Sequence, residues 1–266
     1  MGLWNKIFIS KKYLPEDIIY NCIETYEKND IFLEKNSYYY EEKQKLCKSK
    51  VSHAKFKEFV DHTKGSVFTS FNMVSSRDIK NIRLYTKSTV YDIFLNKFLY
   101  VKPDFWDKNC FVNFSKIVYE NSTYPFLIID LRDSSGGYIK TCINICNIFL
   151  HDCEIVKLIY KNKKVSYYAN ENNFKFKKIF IIVNNNTMSS AEILAYSLKV
   201  NLKEALILGE DTFNKNFGQL QLINKKYRYV FSIPTFFWDV CGEYDKTITY
   251  LPRKEIFDYI FMCTCI

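Results

Sequence analysis

The fold of this chain is decided by the stretch Phe180-Ile-Ile-Val-Asn-Asn-Asn-Thr-Met-Ser-Ser-Ala-Glu-Ile-Leu194. It begins as a continuous apolar run, which predicts a buried strand, and it breaks into polar residues before a helical pattern opens at a serine. A second apolar run, Ala205-Leu-Ile-Leu-Gly209, follows this helix. Strands and helices that alternate in this way predict an α/β core, in which Ser189 stands at a strand-to-helix turn.

A lysine stands in the loop that follows the second strand, which reads Glu210-Asp-Thr-Phe-Asn-Lys215. A serine hydroxyl needs a positioned base at neutral pH, and a lysine can serve when desolvation makes it neutral. Lys215 lies between Phe213 and Phe217, so its side chain can pack against apolar rings that desolvate the ammonium group. None of the chain's three histidines is followed by a nucleophile pattern. Lys215 is therefore the better candidate base for Ser189.

A glycine pair ends another predicted strand. The run Tyr124-Pro-Phe-Leu-Ile-Ile-Asp-Leu-Arg132 leads into Asp133-Ser-Ser-Gly-Gly137, and a helical pattern follows. Glycines at such a turn leave backbone amides accessible, and the start of the helix adds a partial positive charge. We expect Gly136 or Gly137 to donate an amide to the oxyanion of an acyl-transfer reaction, with the amide of Ser190 as the second donor.

These three motifs resemble those of the carboxyl-terminal processing peptidases, also called tail-specific proteases. Residues 127–137 are similar to the family pattern D-L-R-x-N-x-G-G, residues 187–195 to S-A-S-E-I, and residues 209–215 to G-E-P-T-Y-G-K. The motifs occur in the family's order. Over residues 90–256 the resemblance implies the crotonase/ClpP-like β-β-α superhelical fold.

The resemblance also implies a Ser/Lys dyad, with Ser189 as the nucleophile, Lys215 as the base and Gln219 as the residue that orients the lysine. Two serines are adjacent, so a register shift of one residue would make Ser190 the nucleophile. Glu192 and the helix that follows favour Ser189.

Several residues depart from the family pattern. Ser134 and Ser135 replace an asparagine and a proline, and Asn214 and Asn216 replace the glycines beside the lysine. Asparagine tolerates positive φ better than most residues, so the loops can persist. We expect a serine endopeptidase that acts on peptides or unfolded proteins, and the resemblance implies cleavage near their carboxyl termini. The alternative is a noncatalytic peptide- or ligand-binding relative. A third interpretation, an acyl-CoA enzyme of the crotonase type, shares the fold but has no use for a Ser/Lys pair.

The pattern along the chain predicts an amino-terminal helical segment over residues 1–65 and an α/β peptidase core over residues 66–266. Within the core it indicates a helix over residues 104–120 and a hairpin of strands 217–223 and 227–234. Too few residues separate Thr63 from the strand at Val90 for an inserted PDZ domain, because a domain needs at least ~50 residues.

Composition and charge indicate which binding partners and which cellular location to expect. The net charge is +9, but the lysines are spread along the chain without a nucleic-acid motif, so no nucleic-acid partner is expected. The apolar run at the amino terminus is too short for a signal peptide, and no segment approaches ~18 uninterrupted apolar residues. These patterns indicate a cytoplasmic protein without a membrane span. A homo-oligomer and an accessory substrate-recognition partner are both compatible with the sequence.

The nine cysteines show no disulfide-framework spacing, which indicates reduced thiols. Cys142 and Cys146 lie one helical turn apart and would make half a metal site with His151 or Cys153. The favoured interpretation is that they are small apolar residues on a core-facing stripe with Ile145 and Phe149. We therefore expect no metal and no cofactor.

Overall fold

The computed structural model of the chain describes residues 13–48, 50–75, 78, 89–103, 106–170, 174–240 and 247–264. They include the helices α1 (Glu16–Asn29), α2 (Ser37–Cys47), α3 (His53–Thr63), α4 (Lys108–Glu120), α5 (Ile139–Phe149), α6 (Ser190–Asn201) and α7 (Ile256–Met262). They include the strands β1 (Ser70–Met73), β2 (Val90–Phe94), β3 (Phe98–Lys102), β4 (Phe126–Asp130), β5 (Glu154–Tyr160), β6 (Lys164–Tyr168), β7 (Lys178–Val183), β8 (Ala205–Gly209), β9 (Phe217–Asn224), β10 (Tyr229–Asp239) and β11 (Ile248–Tyr250).

The chain forms two compact bodies, which we call the small body and the large body. The small body takes its described residues from Met1–Leu84, Ile159–Lys163 and Phe217–Phe237. The large body takes its described residues from Tyr85–Leu158, Lys164–Asn216 and Trp238–Ile266. Ser189, Lys215 and the glycine pair belong to the large body, and Gln219 belongs to the small body.

The small body contains α1, α2 and α3 together with the antiparallel pairs β1/β10 and β10/β9. Asn36 and Ser52 are the N-cap residues of α2 and α3. Their side chains accept backbone amides of the first turn and so satisfy donors that a helix leaves free. The helices and strands share one core, whose fully buried rings include Tyr26, Phe56 and Phe231.

The large body is built on a six-stranded sheet in the order β11-β8-β7-β4-β3-β2. The pairs β3/β4, β4/β7, β7/β8 and β8/β11 are parallel, and β2/β3 is antiparallel. The central strands β4 and β7 are apolar and almost wholly buried, as strands covered on both faces must be. Ile256 and Ile260 of α7 pack against Ile128, Phe180 and Leu208 of the sheet.

The parallel strands place the candidate site. Strands β4, β7 and β8 are neighbours in the sheet and run in the same direction, so their carboxyl ends meet at one edge. Ligands of open α/β sheets bind at this edge. The loops that follow the three strands carry, in order, the glycine pair, the serine pair and Lys215.

The α/β class predicted from the sequence is confirmed, as is the β9/β10 hairpin, and α1, α2 and α3 lie where the sequence predicted a helical segment. The helix predicted over residues 104–120 was placed too early: α4 begins at Lys108, because Asp107 caps it by accepting the amide of Cys110. Strand β6 was missed, because it is short and buries none of its residues. The domain boundary at residue 65 stays a prediction.

Cys142, Cys146, Ile145 and Phe149 are all buried on α5, so the core-facing stripe is confirmed. Cys241, Cys265 and the first twelve residues lie outside the described part of the chain. Within the described part, no group of three or more His, Cys, Asp and Glu side chains is placed to hold a metal ion. No helix of that part has both the length and the apolar character that a membrane crossing requires.

Candidate active site

The loop from β7 to α6 holds the serine pair in a strained turn. Thr187 is fully buried, and its hydroxyl donates to the carbonyl of Leu131 at 2.8 Å, which ties this loop to the end of β4. Ser189 has φ 59° and ψ −124°, an unusual conformation for a residue with a Cβ atom. Strain of this kind is found preferentially at functional sites.

The two adjacent serines have different environments. Ser189 is partly exposed at the amino-terminal end of α6. Ser190 is 2% exposed, and its hydroxyl donates to the carbonyl of Gly137 at 2.9 Å. The Ser190 hydroxyl therefore holds the serine turn against the glycine turn.

Glu192 links the serine turn to the lysine loop. It is fully buried in the first turn of α6. Its Oε2 atom accepts the backbone amides of Ser189 at 2.6 Å and Lys215 at 3.1 Å. Its Oε1 atom accepts the Thr212 hydroxyl at 2.7 Å and the Asn214 amide at 2.8 Å. Because both bonds to Oε2 end on one atom, the backbone nitrogens of Ser189 and Lys215 lie within about 6 Å of each other.

Further hydrogen bonds fix the lysine loop. The amide of Phe213 donates to the carbonyl of Thr187 at 2.9 Å, and the indole N–H of Trp238 donates to the carbonyl of Lys215 at 2.9 Å. Asn214 adopts φ 60°, the left-handed conformation that asparagine tolerates. The asparagine in place of a glycine thus leaves the loop able to make its turn.

Lys215 is half-buried. Burial lowers the pKa of its ammonium group below the usual lysine value, because desolvation disfavours the charged form, and the carboxylate of Glu192 opposes this shift in part. A lowered pKa increases the fraction of neutral lysine, the form that can accept a proton.

The glycine turn packs directly on the serine turn. Gly136 has φ +72°, and a Cβ atom there would lie 2.7 Å from both the carbonyl oxygen of Met188 and the amide nitrogen of Ser190. The carbonyl of Ser134 accepts the amide of Met188 at 3.0 Å. A Cβ atom on Gly137 would lie 2.7 Å from the Cβ atom of Trp106. Both positions therefore require glycine.

A buried ion pair holds the start of the glycine turn. Asp130 is 1% exposed, and its carboxylate accepts the guanidinium of Arg132 and the Tyr100 hydroxyl at 2.5 Å and 2.7 Å. Burial raises the pKa of Asp130, but these two partners outweigh burial and hold the pKa below its usual value. Asp130 therefore stays charged and keeps Arg132 in place.

The structure places the remaining predicted residue, Gln219, on β9 of the small body, where its side-chain amide donates to the carbonyl of Phe68 at 2.9 Å. Its orienting role toward Lys215 stays a prediction. The contribution of Glu192 was missed at the sequence level, where this residue served only to set the register. Its position in the first turn of a helix predicted to begin at a serine was the available signal, since a glutamate there often accepts the amide of the N-cap residue.

The fold and the site together define an α/β protein in which a serine turn and a lysine loop meet beside a glycine turn, the arrangement that a serine hydrolase needs. The chain belongs to Peptidase family S41, whose sequence profile matches residues 98–235. The resemblance to carboxyl-terminal processing peptidases is thereby confirmed.

Individual relatives match shorter segments. The carboxy-terminal processing protease CtpA of Bacillus subtilis (strain 168) is 36% identical over 94 residues, which are 35% of this chain and 20% of that protein. The carboxyl-terminal-processing protease of Synechocystis sp. is 33% identical over 93 residues, which are 35% of this chain and 22% of that protein. The matched segments thus span about a fifth of these relatives.

Two solved structures share the fold over most of the chain. A lipoprotein from Streptococcus agalactiae superimposes with a TM-score of 0.72 at 19% identity, covering 94% of this chain and 98% of its own. A putative peptidase from Parabacteroides merdae superimposes with a TM-score of 0.54 at 13% identity, covering 92% of each chain.

Proposed function

We propose that this protein is a serine endopeptidase that cleaves peptides or unfolded proteins with a Ser189/Lys215 dyad. The observation that carries the proposal is the hydrogen bonding of Glu192, whose one carboxylate holds the backbones of both residues. A peptidase that uses a lysine base needs this proximity together with a lowered lysine pKa, and burial lowers the pKa of Lys215.

In the proposed mechanism, neutral Lys215 accepts the hydroxyl proton of Ser189 while the serine oxygen attacks the peptide carbonyl carbon. Amides of Gly136 or Gly137 and of Ser190 stabilise the oxyanion. The protonated lysine then gives its proton to the leaving amine, which departs and leaves an acyl-enzyme. A water molecule that loses a proton to Lys215 hydrolyses the ester and restores Ser189. Gln219 orients the lysine in this scheme.

Two contacts support the assignment of Ser189 over Ser190 and the position of the oxyanion donors. The hydroxyl of Ser190 is already bonded to Gly137, and it is buried. The backbone of Gly136 approaches the amide of Ser190 so closely that a Cβ atom would not fit. The backbone of Gly136 therefore lies close to the amide of Ser190, which supports these two turns as the source of the oxyanion donors.

The substrate class follows from the family. Relatives named as carboxyl-terminal-processing proteases make the carboxyl-terminal part of a protein the proposed region of cleavage.

We further propose the crotonase/ClpP-like β-β-α superhelix as the arrangement of the core. A cytoplasmic location, an accessory recognition partner and a homo-oligomer remain predictions from the sequence.

Cleavage of a reduced and alkylated, unstructured protein tests the proposal, with fragments read by mass spectrometry. Ser189→Ala and Lys215→Ala should each lose activity by about 10³-fold or more. Ser122→Ala and Lys203→Ala remove an exposed serine and an exposed lysine elsewhere in the large body, and they should cleave as the wild type does. Equal cleavage by all five proteins, or none by the wild type, would rule out the dyad.

A further inference from the structure

An exposed phenylalanine stands on the lysine loop. Phe213 is 47% exposed, two residues before Lys215. Single exposed apolar side chains are common and carry no meaning by themselves. Here, however, both neighbours of the ring are held, because the side-chain hydroxyl of Thr212 and the backbone amide of Asn214 donate to Glu192.

The position of Phe213 relative to the proposed nucleophile is also fixed. Its amide donates to the carbonyl of Thr187 at 2.9 Å, two residues before Ser189. A second exposed ring, Tyr138, is 65% exposed and directly follows Gly137, whose carbonyl accepts the Ser190 hydroxyl. The amide of Tyr138 donates to the carbonyl of Trp106 at 2.9 Å, which holds its backbone. One ring thus stands on each of the two loops that flank the serine turn.

Rings on an immobilised backbone are suited to binding. An aromatic side chain offers a large apolar area with few rotatable bonds, so little conformational entropy is lost when a partner covers it. A substrate whose scissile bond lies at Ser189 would bring its neighbouring side chains to these loops. A bulky apolar side chain of the substrate would contribute the most binding free energy here, because it removes the most apolar surface of the two rings from water.

We propose that Phe213, together with Tyr138, selects substrates that carry a bulky apolar side chain beside the scissile bond. The inference rests on the proposed peptidase function. The preferential binding of such substrates can nevertheless be measured on a protein that does not cleave them. It makes Phe213 a specificity-determining residue that takes no part in proton transfer.

The test compares alanine-rich decapeptides that differ only at one central residue, which is Phe, Leu, Ala, Asp or Lys. Wild-type protein should cleave the Phe and Leu peptides with a kcat/KM at least about tenfold above that of the Asp and Lys peptides. Phe213→Ala should reduce this ratio to about threefold or less, and Phe213→Tyr should restore it. Tyr119→Ala, which removes a ring that is 72% exposed on α4, should keep the wild-type ratio.

Binding to the Ser189→Ala protein, measured by fluorescence anisotropy of labelled peptides, separates this proposal from the proposed catalysis. Tighter binding of the Phe peptide than of the Asp peptide, lost when Phe213→Ala is added, supports the specificity role even if no cleavage occurs. Equal affinity for all peptides, no binding of any, a preference for the Lys peptide, or a preference that survives Phe213→Ala would overturn it.

Discussion

At the scale of single residues, Glu192 matters most, because its two oxygen atoms are matched to four donors from two loops. A carboxylate can accept hydrogen bonds at both of its terminal atoms, whereas the amide of a glutamine accepts at one and donates at the other. A buried donor left without an acceptor costs about 1–3 kcal/mol. Glu192 thus connects the local geometry of the serine turn to the backbone position of Lys215.

Glu192→Gln keeps the size of the side chain and replaces one acceptor by a donor. We expect kcat/KM to fall by about 10²-fold or more and the free energy of unfolding to fall by about 2 kcal/mol. Losing the negative charge should also lower the pKa of Lys215, because the Glu192 carboxylate raises it. The acidic limb of the pH–rate profile should therefore move to lower pH.

That shift separates an electrostatic role from a purely structural one, which would lower activity at every pH equally. Glu58→Gln, at an exposed position of α3, is the matched control and should change neither activity nor stability. An active Glu192→Gln variant of wild-type stability would contradict the positioning role.

The pKa of Lys215 predicts the pH dependence of the reaction. The reactive form of the base is the neutral amine, so kcat/KM should rise about tenfold per pH unit below the free-enzyme pKa and become constant above it. Burial lowers that pKa, so the plateau should begin below the usual pKa of a lysine. Initial rates on a peptide without titratable side chains measure the profile. A rate that falls as the pH rises through this range would exclude Lys215 as the base.

At the scale of elements, the decisive feature is the contact of three loops at the carboxyl edge of β4, β7 and β8. Parallel strands bring the loops together, and a small number of hydrogen bonds set their spacing. Met188 bonds to Ser134, Phe213 bonds to Thr187, and Ser190 bonds to Gly137. The loops therefore act as one unit, and a change in one loop should affect the others.

Gly136→Ala tests this dependence. The added Cβ atom would meet the Ser190 amide and the Met188 carbonyl at 2.7 Å, and the φ of +72° is unfavourable for alanine. We expect a loss of about 10²-fold in kcat/KM and a decrease of about 1–2 kcal/mol in the free energy of unfolding. Ser135→Ala, an exposed neighbour in the same turn, should retain wild-type values. Full activity of Gly136→Ala would show that the two turns are not packed together.

At the scale of the whole molecule, the sequence predicted the order of the elements well, because long apolar runs such as the one ending at Val183 leave little choice. It also predicted which loops carry the candidate residues. It did not predict that Glu192 accepts four hydrogen bonds, because donors in a loop that is distant along the chain cannot be recognised from the sequence. For the same reason, the different environments of Ser189 and Ser190 depended on tertiary contacts with Gly137.

The membership of two distant segments in the small body was not predicted from the sequence. Residues 159–163 and 217–237 belong to the same body as the amino-terminal helices, although they are far from them along the chain. Their aromatic residues, including Tyr229 and Phe231, join the core that contains Tyr26. Local patterns predicted the β9/β10 hairpin but not the pairing of β10 with β1, because strand pairing over long sequence distances is set by packing.

The most direct test of the central claim compares Ser189→Ala with Ser190→Ala on one cleavable peptide. If Ser189 is the nucleophile, Ser189→Ala should lose about 10³-fold or more in kcat/KM. Ser190→Ala keeps its backbone amide and loses only the hydrogen bond to Gly137, so it should stay within about tenfold of the wild type. Loss of activity in Ser190→Ala with activity retained in Ser189→Ala would contradict the account.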